Sequence, residues 1–120
     1  MNDAETALTS LKELVRRFGE ERDWQPFHTP KNLVMGMAVE TAELMEHFLW
    51  VDPAQSFALI RDPDRRQAIG EEMADVLAYL LGLSNVLGID LSGALEAKMV
   101  KNALKYPAGK YRGRYEATSE

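Results

Sequence analysis

Two acidic pairs, Glu40-Thr-Ala-Glu43 and Glu72-Met-Ala-Asp75, interrupt runs that are otherwise apolar. A three-residue spacing puts both carboxylates of a pair on one face of a helix. Two such helices packed together gather four carboxylates where uncompensated negative charge is costly. A hard divalent cation, held by oxygen ligands and shared with substrate phosphates, relieves that cost. The pattern points to metal-dependent phosphate chemistry with Glu40, Glu43, Glu72 and Asp75 as ligands. A single Glu-x-x-Glu carries little weight, because helices are rich in Glu. Two pairs beside apolar stripes carry more, and no Lys or Arg occurs between residues 34 and 60 to build a salt-bridge lattice. Di-iron bundles take Glu-x-x-His on two helices. Here residue 46 is Glu, His47 falls one place late, and the stretch carrying Glu72 has no His. Oxygen ligation therefore favours magnesium, with manganese as a substitute, over iron or zinc.

Other residue types surround these pairs. Trp24 and Trp50 lie before and after the segment bearing Glu40 and Glu43, and offer flat surfaces to a planar ligand such as a nucleobase. Either also serves as a plain packing residue, the commoner fate of Trp. Phe27 and His28 share the loop of Trp24. Lys98, Asn102 and Lys105 fall on one helical face with Tyr106 next. That set supplies a point charge and directed hydrogen bonds to phosphate, or else is a solvated polar face. Lys110, Arg112 and Arg114, separated by glycines, read as a mobile basic tail able to close over phosphates.

The elements that must position these groups are helices. Leu8, Leu11, Leu14, Val15 and Phe18 recur at helical spacing and predict a first helix ending near Gly19 to Arg22. Residues 23–28 are a loop. Thr29-Pro30 is an N-cap with a first-turn proline and opens a second helix, whose buried stripe is Leu33, Val34, Met37, Thr41, Leu44, Met45 and Phe48, running out at Asp52-Pro53. A loop or short helical piece covers Pro53 to Arg61. Asp62-Pro63 repeats the signal for a third helix reaching Leu87, closed by Gly88. Asp90 caps a fourth of roughly 15 residues whose end Pro107 forces. Glu40 and Glu43 lie beside the stripe with His47 near them. Glu72 and Asp75 share a side with Tyr79 and Val86, and Glu71 points to solvent. No run alternates with period two, so no sheet is expected. The expectation is a single all-α domain over 1–120, a four-helix bundle, with 108–120 a flexible basic tail. Val76, Leu77, Tyr79, Leu80, Leu81, Leu83, Val86 and Leu87 leave the third helix almost no polar face, so a second subunit is expected to cover part of it in a dimer or dimer of dimers.

Bulk properties narrow the classes. At 120 residues there is one core. With no cysteine, disulfides and thiolate–zinc sites are excluded. No apolar stretch spans a bilayer, and Met1 to Glu5 lacks signal-peptide regions, so a cytoplasmic address is expected. A net charge of −5 argues against nucleic-acid binding. Lys98 to Arg114 is nevertheless basic and free of acids, which suits a site holding a metal and an anion.

Taken together, residues 21–24, Phe27-His28, Pro30 to Leu33, Glu40-x-x-Glu43-Leu44 through Trp50, Glu71-Glu72-x-x-Asp75-Val76-Leu77-x-Tyr79, and Lys98-Met99-x-x-Asn102-x-x-Lys105-Tyr106-Pro107 resemble the MazG-like all-α nucleoside triphosphate pyrophosphohydrolases, and within them the dCTP pyrophosphatase branch. The resemblance runs from about Leu11 to Pro107. It implies hydrolysis between the α and β phosphates of a nucleotide, giving a monophosphate and pyrophosphate. It implies magnesium ligation by Glu40, Glu43, Glu72 and Asp75; metal-assisted attack of water then needs a carboxylate among them as base, Glu43 by preference, or Glu40. Trp24 and Trp50 match walls of a base pocket, His28 a residue near the nucleotide, and Lys98, Asn102 and Tyr106 contacts to phosphates or sugar. Dimers or tetramers with active sites near subunit contacts are implied too. The segment after Ala108 departs from the family's lysine-rich tail. A relative acting on dUTP, modified nucleotides or phosphoribosyl-ATP, and a non-catalytic nucleotide-binding or helical interaction module, remain the competing readings.

Overall fold

Side-chain caps and prolines set where the chain turns into helix. In the computed structural model, which describes residues 1–114 and 116, Thr29, Asp52, Asp62 and Asp90 all stand at helix N-caps. Their side chains accept from the backbone amides of Asn32 (3.2 Å), Gln55 (2.9 Å), Asp64 (3.0 Å) and Gly93 (2.8 Å). Each satisfies an amide that the first helical turn leaves without a partner. Pro30, Pro53 and Pro63 follow three of them, where a missing N–H costs nothing.

The helices are α1 (Leu8–Glu20), α2 (Pro30–Glu46), α3 (Pro53–Ser56), α4 (Pro63–Leu87), α5 (Leu91–Lys105) and α6 (Ala108–Tyr111), with 3-10 turns at Gln25–Phe27 and Phe57–Arg61. No strand occurs among the described residues. No single helix among them is long and apolar enough to cross a membrane. Gly88 closes α4 in the left-handed region at φ 65°, its amide donating to the Ser84 carbonyl.

Three expectations need correction. The second helix stops at Glu46, short of Phe48 and Trp50. The amides of His47 and Phe48 turn back three residues to Leu44 and Met45, because Asp52 and Gln55 form a capping box that needs extended backbone at Asp52 (ψ 165°). The chain also divides into two compact units, residues 1–88 and 89–120. In the first, α4 packs along both α2 and α1; the fourth long helix, α5, lies in the second. Finally, a helical turn at Ala108–Tyr111 opens the segment expected as a flexible tail, while residue 115 and residues 117–120 of that tail lie outside the described residues.

Burial is sparse. Leu33, Ile69 and Leu81 are the buried apolar side chains among the described residues, at 3%, 6% and 2% exposure. Asn85 links α4 to α1 by donating to the Lys12 carbonyl at 2.9 Å. Val34 and Met45, expected inside, are exposed, as are Leu77, Val86 and Leu87 of the apolar α4. Two neighbouring helices cannot surround a helix that is apolar on every side.

Candidate active site

The two acidic pairs meet because α2 and α4 run antiparallel in a constant register. A Cβ on Gly82 would touch Leu33 at 3.7 Å, and one on Gly36 would overlap the Tyr79 ring. Continuing three or four residues along α2 and the same distance back along α4 brings Glu40 beside Asp75 and Glu43 beside Glu72. Residues three and four apart share a helical face, so all four rungs fall on one seam.

Glu40, Glu43 and Glu72 each turn one carboxylate oxygen into a group lying within 4.8 Å of one another. Glu43 is exposed, while Glu40 and Glu72 are half-buried. One oxygen of Glu40 and one of Glu72 are buried with no hydrogen-bond partner. Buried polar atoms are almost always paired, and an orphaned carboxylate oxygen is costly. Asp75 is outside this close trio, but its charge acts on both Glu40 and Glu72.

The electrostatics follow from the crowding. Burial, then the nearby Glu43, Asp75 and Glu72, pushes the Glu40 carboxyl up to about 7. Burial and Glu43 likewise raise that of Glu72, partly offset by its contact with Glu40. Two close carboxylates do not both ionise readily without a cation. An all-oxygen donor set with two unpartnered buried oxygens fits a hard divalent ion such as magnesium or manganese.

Beside the carboxylates is a cavity of about 210 Å³ lined by Val15, Phe18, Trp24, His28, Glu40, Asp75, Ala78 and Tyr79. Its aromatic wall comes from the end of α1. Asp23 adopts a left-handed conformation (φ 53°), and the Trp24 amide donates to the Gly19 carbonyl at 3.0 Å. The chain thereby doubles back, setting the Trp24 ring edge-on to Phe18 (centroids 5.6 Å) and to His28 (6.0 Å). The Arg22 guanidinium covers the other part of Phe18 at 3.7 Å. Asn32 ties this loop to α2 by donating to the Phe27 carbonyl at 3.0 Å.

Of the sequence candidates, the structure joins Trp24 and His28 to Glu40 and Asp75. It leaves Trp50 apart, 93% exposed, beside a separate cavity of about 540 Å³ with Glu46, His47, Val51 and Arg65. Glu71 is exposed and accepts from Gln67, as expected. Lys98, Asn102 and Tyr106 belong to the second unit. There Asn102 lies against the Met99 sulfur at 3.8 Å, and the Tyr106 ring meets Tyr111 edge-on at 5.2 Å. Phe18 and Tyr79, packing residues by their helical spacing, also line this cavity. Tyr79 carries a usable signal, four residues beyond Asp75 on the same face; Phe18 carries none.

The model of the MazG-like family matches residues 36–120. The chain is 38% identical to dCTP pyrophosphatase 1 of Rattus norvegicus over 91% of its own length, and 38% identical to that of Homo sapiens over 87%. It spans 64% and 61% of the length of those relatives. A crystal structure of a pyrophosphatase from Archaeoglobus fulgidus DSM 4304 superposes with a TM-score of 0.79 at 37% identity, covering 89% of this chain and 98% of that one.

Proposed function

The chain belongs to the MazG-like family, and on that footing we propose that it is a magnesium-dependent nucleoside triphosphate pyrophosphohydrolase. The products are a nucleoside monophosphate and pyrophosphate, and dCTP or a modified dCTP is the preferred substrate. The supporting observation is the pair of buried, unpartnered oxygens of Glu40 and Glu72, gathered with Glu43 beside an aromatic cavity. The substrate assignment leans on the named activity of the rat and human relatives.

Glu40, Glu43, Glu72 and Asp75 hold the metal. When bound, it neutralises phosphate oxygens and lowers the pKa of coordinated water. Glu43, the exposed member of the trio, takes the proton of the attacking water. Water adds to the α phosphorus, its bond to the α–β bridging oxygen breaks, and the proton passes to the departing pyrophosphate. Trp24 and His28 clasp the base with Phe18 and Tyr79, where stacking tolerates any planar ring. In the second unit, Lys98, Asn102 and Tyr106 offer a charge and directed hydrogen bonds of the kind that suit phosphate and sugar.

The sparse burial supports a homodimer or homotetramer, since apolar residues of α4 such as Leu77, Val86 and Leu87 are left exposed by one chain. A subunit contact is also the route by which so exposed an indole as Trp50 reaches a base. We place the enzyme in the cytoplasm, clearing the nucleotide pool. The test is pyrophosphate release from a panel of NTPs and dNTPs with magnesium and with EDTA. Release that needs magnesium and is strongest with dCTP is expected; no release from folded, oligomeric protein refutes the reading in favour of a binding or interaction module.

A further inference from the structure

Two glycines face bulky residues across the α2–α4 seam, and they differ. A Cβ on Gly82 would stand 3.7 Å from Leu33, an ordinary contact. A Cβ on Gly36 would stand 2.4 Å from Cε1 of Tyr79, 2.7 Å from Cζ and 3.0 Å from Cδ1. The ring edge therefore fills the volume that any other residue at position 36 would occupy. Gly36 lies one turn before Glu40, and Tyr79 one turn after Asp75, so the contact sits a turn away from the carboxylates. Tyr79 also lines the cavity of about 210 Å³ that Trp24 and His28 wall.

We infer that Gly36 is a positioning residue that seats the Tyr79 ring against α2 and thereby keeps the aromatic cavity wide enough for a base. The inference rests on the nucleotide reading above. A methyl at position 36 excludes the ring from its seat. Pushed off α2, the ring takes up space in the cavity it lines. A purine, being larger than a pyrimidine, is excluded first.

The test compares Gly36→Ala, Gly82→Ala, Tyr79→Ala and Gly36→Ala/Tyr79→Ala in the full chain. A methyl-sized change in a snug pocket is worth about tenfold or more, so Gly36→Ala should raise KM about tenfold for a pyrimidine nucleotide and further for a purine one. Its kcat should stay within about threefold, as when ground-state and transition-state binding are lost together. Manganese binding without nucleotide, followed by calorimetry, should be unchanged, and Gly82→Ala should leave KM alone. With the ring removed by Tyr79→Ala, adding Gly36→Ala should have no further effect. An unchanged KM in folded Gly36→Ala overturns the inference. So does an equal rise in the Tyr79→Ala background, or loss of manganese binding, which would mean the helices had spread. Should Gly36→Ala fail to fold alone, refolding of the double variant supports competition for one space, and its failure overturns it. Wild-type protein that neither binds nor cleaves nucleotide sinks the functional reading itself; active wild type with an indifferent Gly36→Ala sinks this inference alone.

Discussion

The amide of Trp24 donates to the carbonyl of Gly19 at 3.0 Å, across a residue, Asp23, held at φ 53°. This is a helix ending that usually employs glycine, and aspartate is among the few side chains that tolerate it. Asp23→Gly should therefore raise the thermal midpoint, by up to about 1 kcal/mol in stability. Asp23→Val should lower it by about 1–3 kcal/mol and raise KM, because Trp24 would no longer be aimed at His28. Thermal unfolding and nucleotide kinetics of the two variants check both parts.

Without metal, the fold should be most stable on the acid side of neutrality. The Glu40 carboxyl rises from 4.5 to about 7 on folding, so between those values the native chain holds more protons than the unfolded one. Stability then falls as pH rises through this window and levels off above it. Magnesium should remove the decline, and its affinity should climb with pH through about 7, because ligation needs the deprotonated carboxylate. Melting curves in EDTA and in magnesium at several pH values read both slopes. A rising midpoint with pH in EDTA contradicts the crowding.

Glu40→Gln removes one of the crowded charges while keeping the side chain's shape. It should raise the midpoint in EDTA, abolish stabilisation by magnesium, and cut turnover about 100-fold or more. Glu43→Ala should likewise end turnover with its helical circular dichroism intact. An unfolded Glu43→Ala chain would show that the carboxylates serve the fold instead.

Leu33 is 3% exposed and rests on Gly82 at the end of the seam. Leu33→Ala should cost about 2–5 kcal/mol and weaken magnesium binding with it, since few other buried apolar groups hold α2 to α4. Chemical denaturation and metal titration of the same variant test whether the two losses travel together.

What could be read from the residues was what local chemistry decides. Thr29-Pro30 and Asp62-Pro63 announce helix starts because cap and proline act within one turn. The two acidic pairs are legible because spacing alone assigns them to a face. The apolar stripe of α2 runs past the helix end at Glu46, although Asp52 and Gln55 carry the sign of a new cap. Phe18 could not be placed beside Trp24, because that pairing depends on a left-handed Asp23 rather than a glycine. The apolar pattern of α4 overstates its burial, since such a pattern reports how much cover a helix needs and not whether its own chain provides it.

The constant register of α2 against α4 also fixes what kinds of length change the chain can bear. One residue added or lost between 33 and 43, or between 72 and 82, would rotate everything beyond it by about 100°, breaking the alignment of the carboxylates with the Leu33–Gly82 and Gly36–Tyr79 contacts. A substitution in these stretches changes the contacts of one side chain, whereas an insertion or deletion misaligns every contact beyond it. The turns from 47 to 51 lie outside this seam, so a spliced loop, tag or sensor peptide placed there should leave metal binding undisturbed.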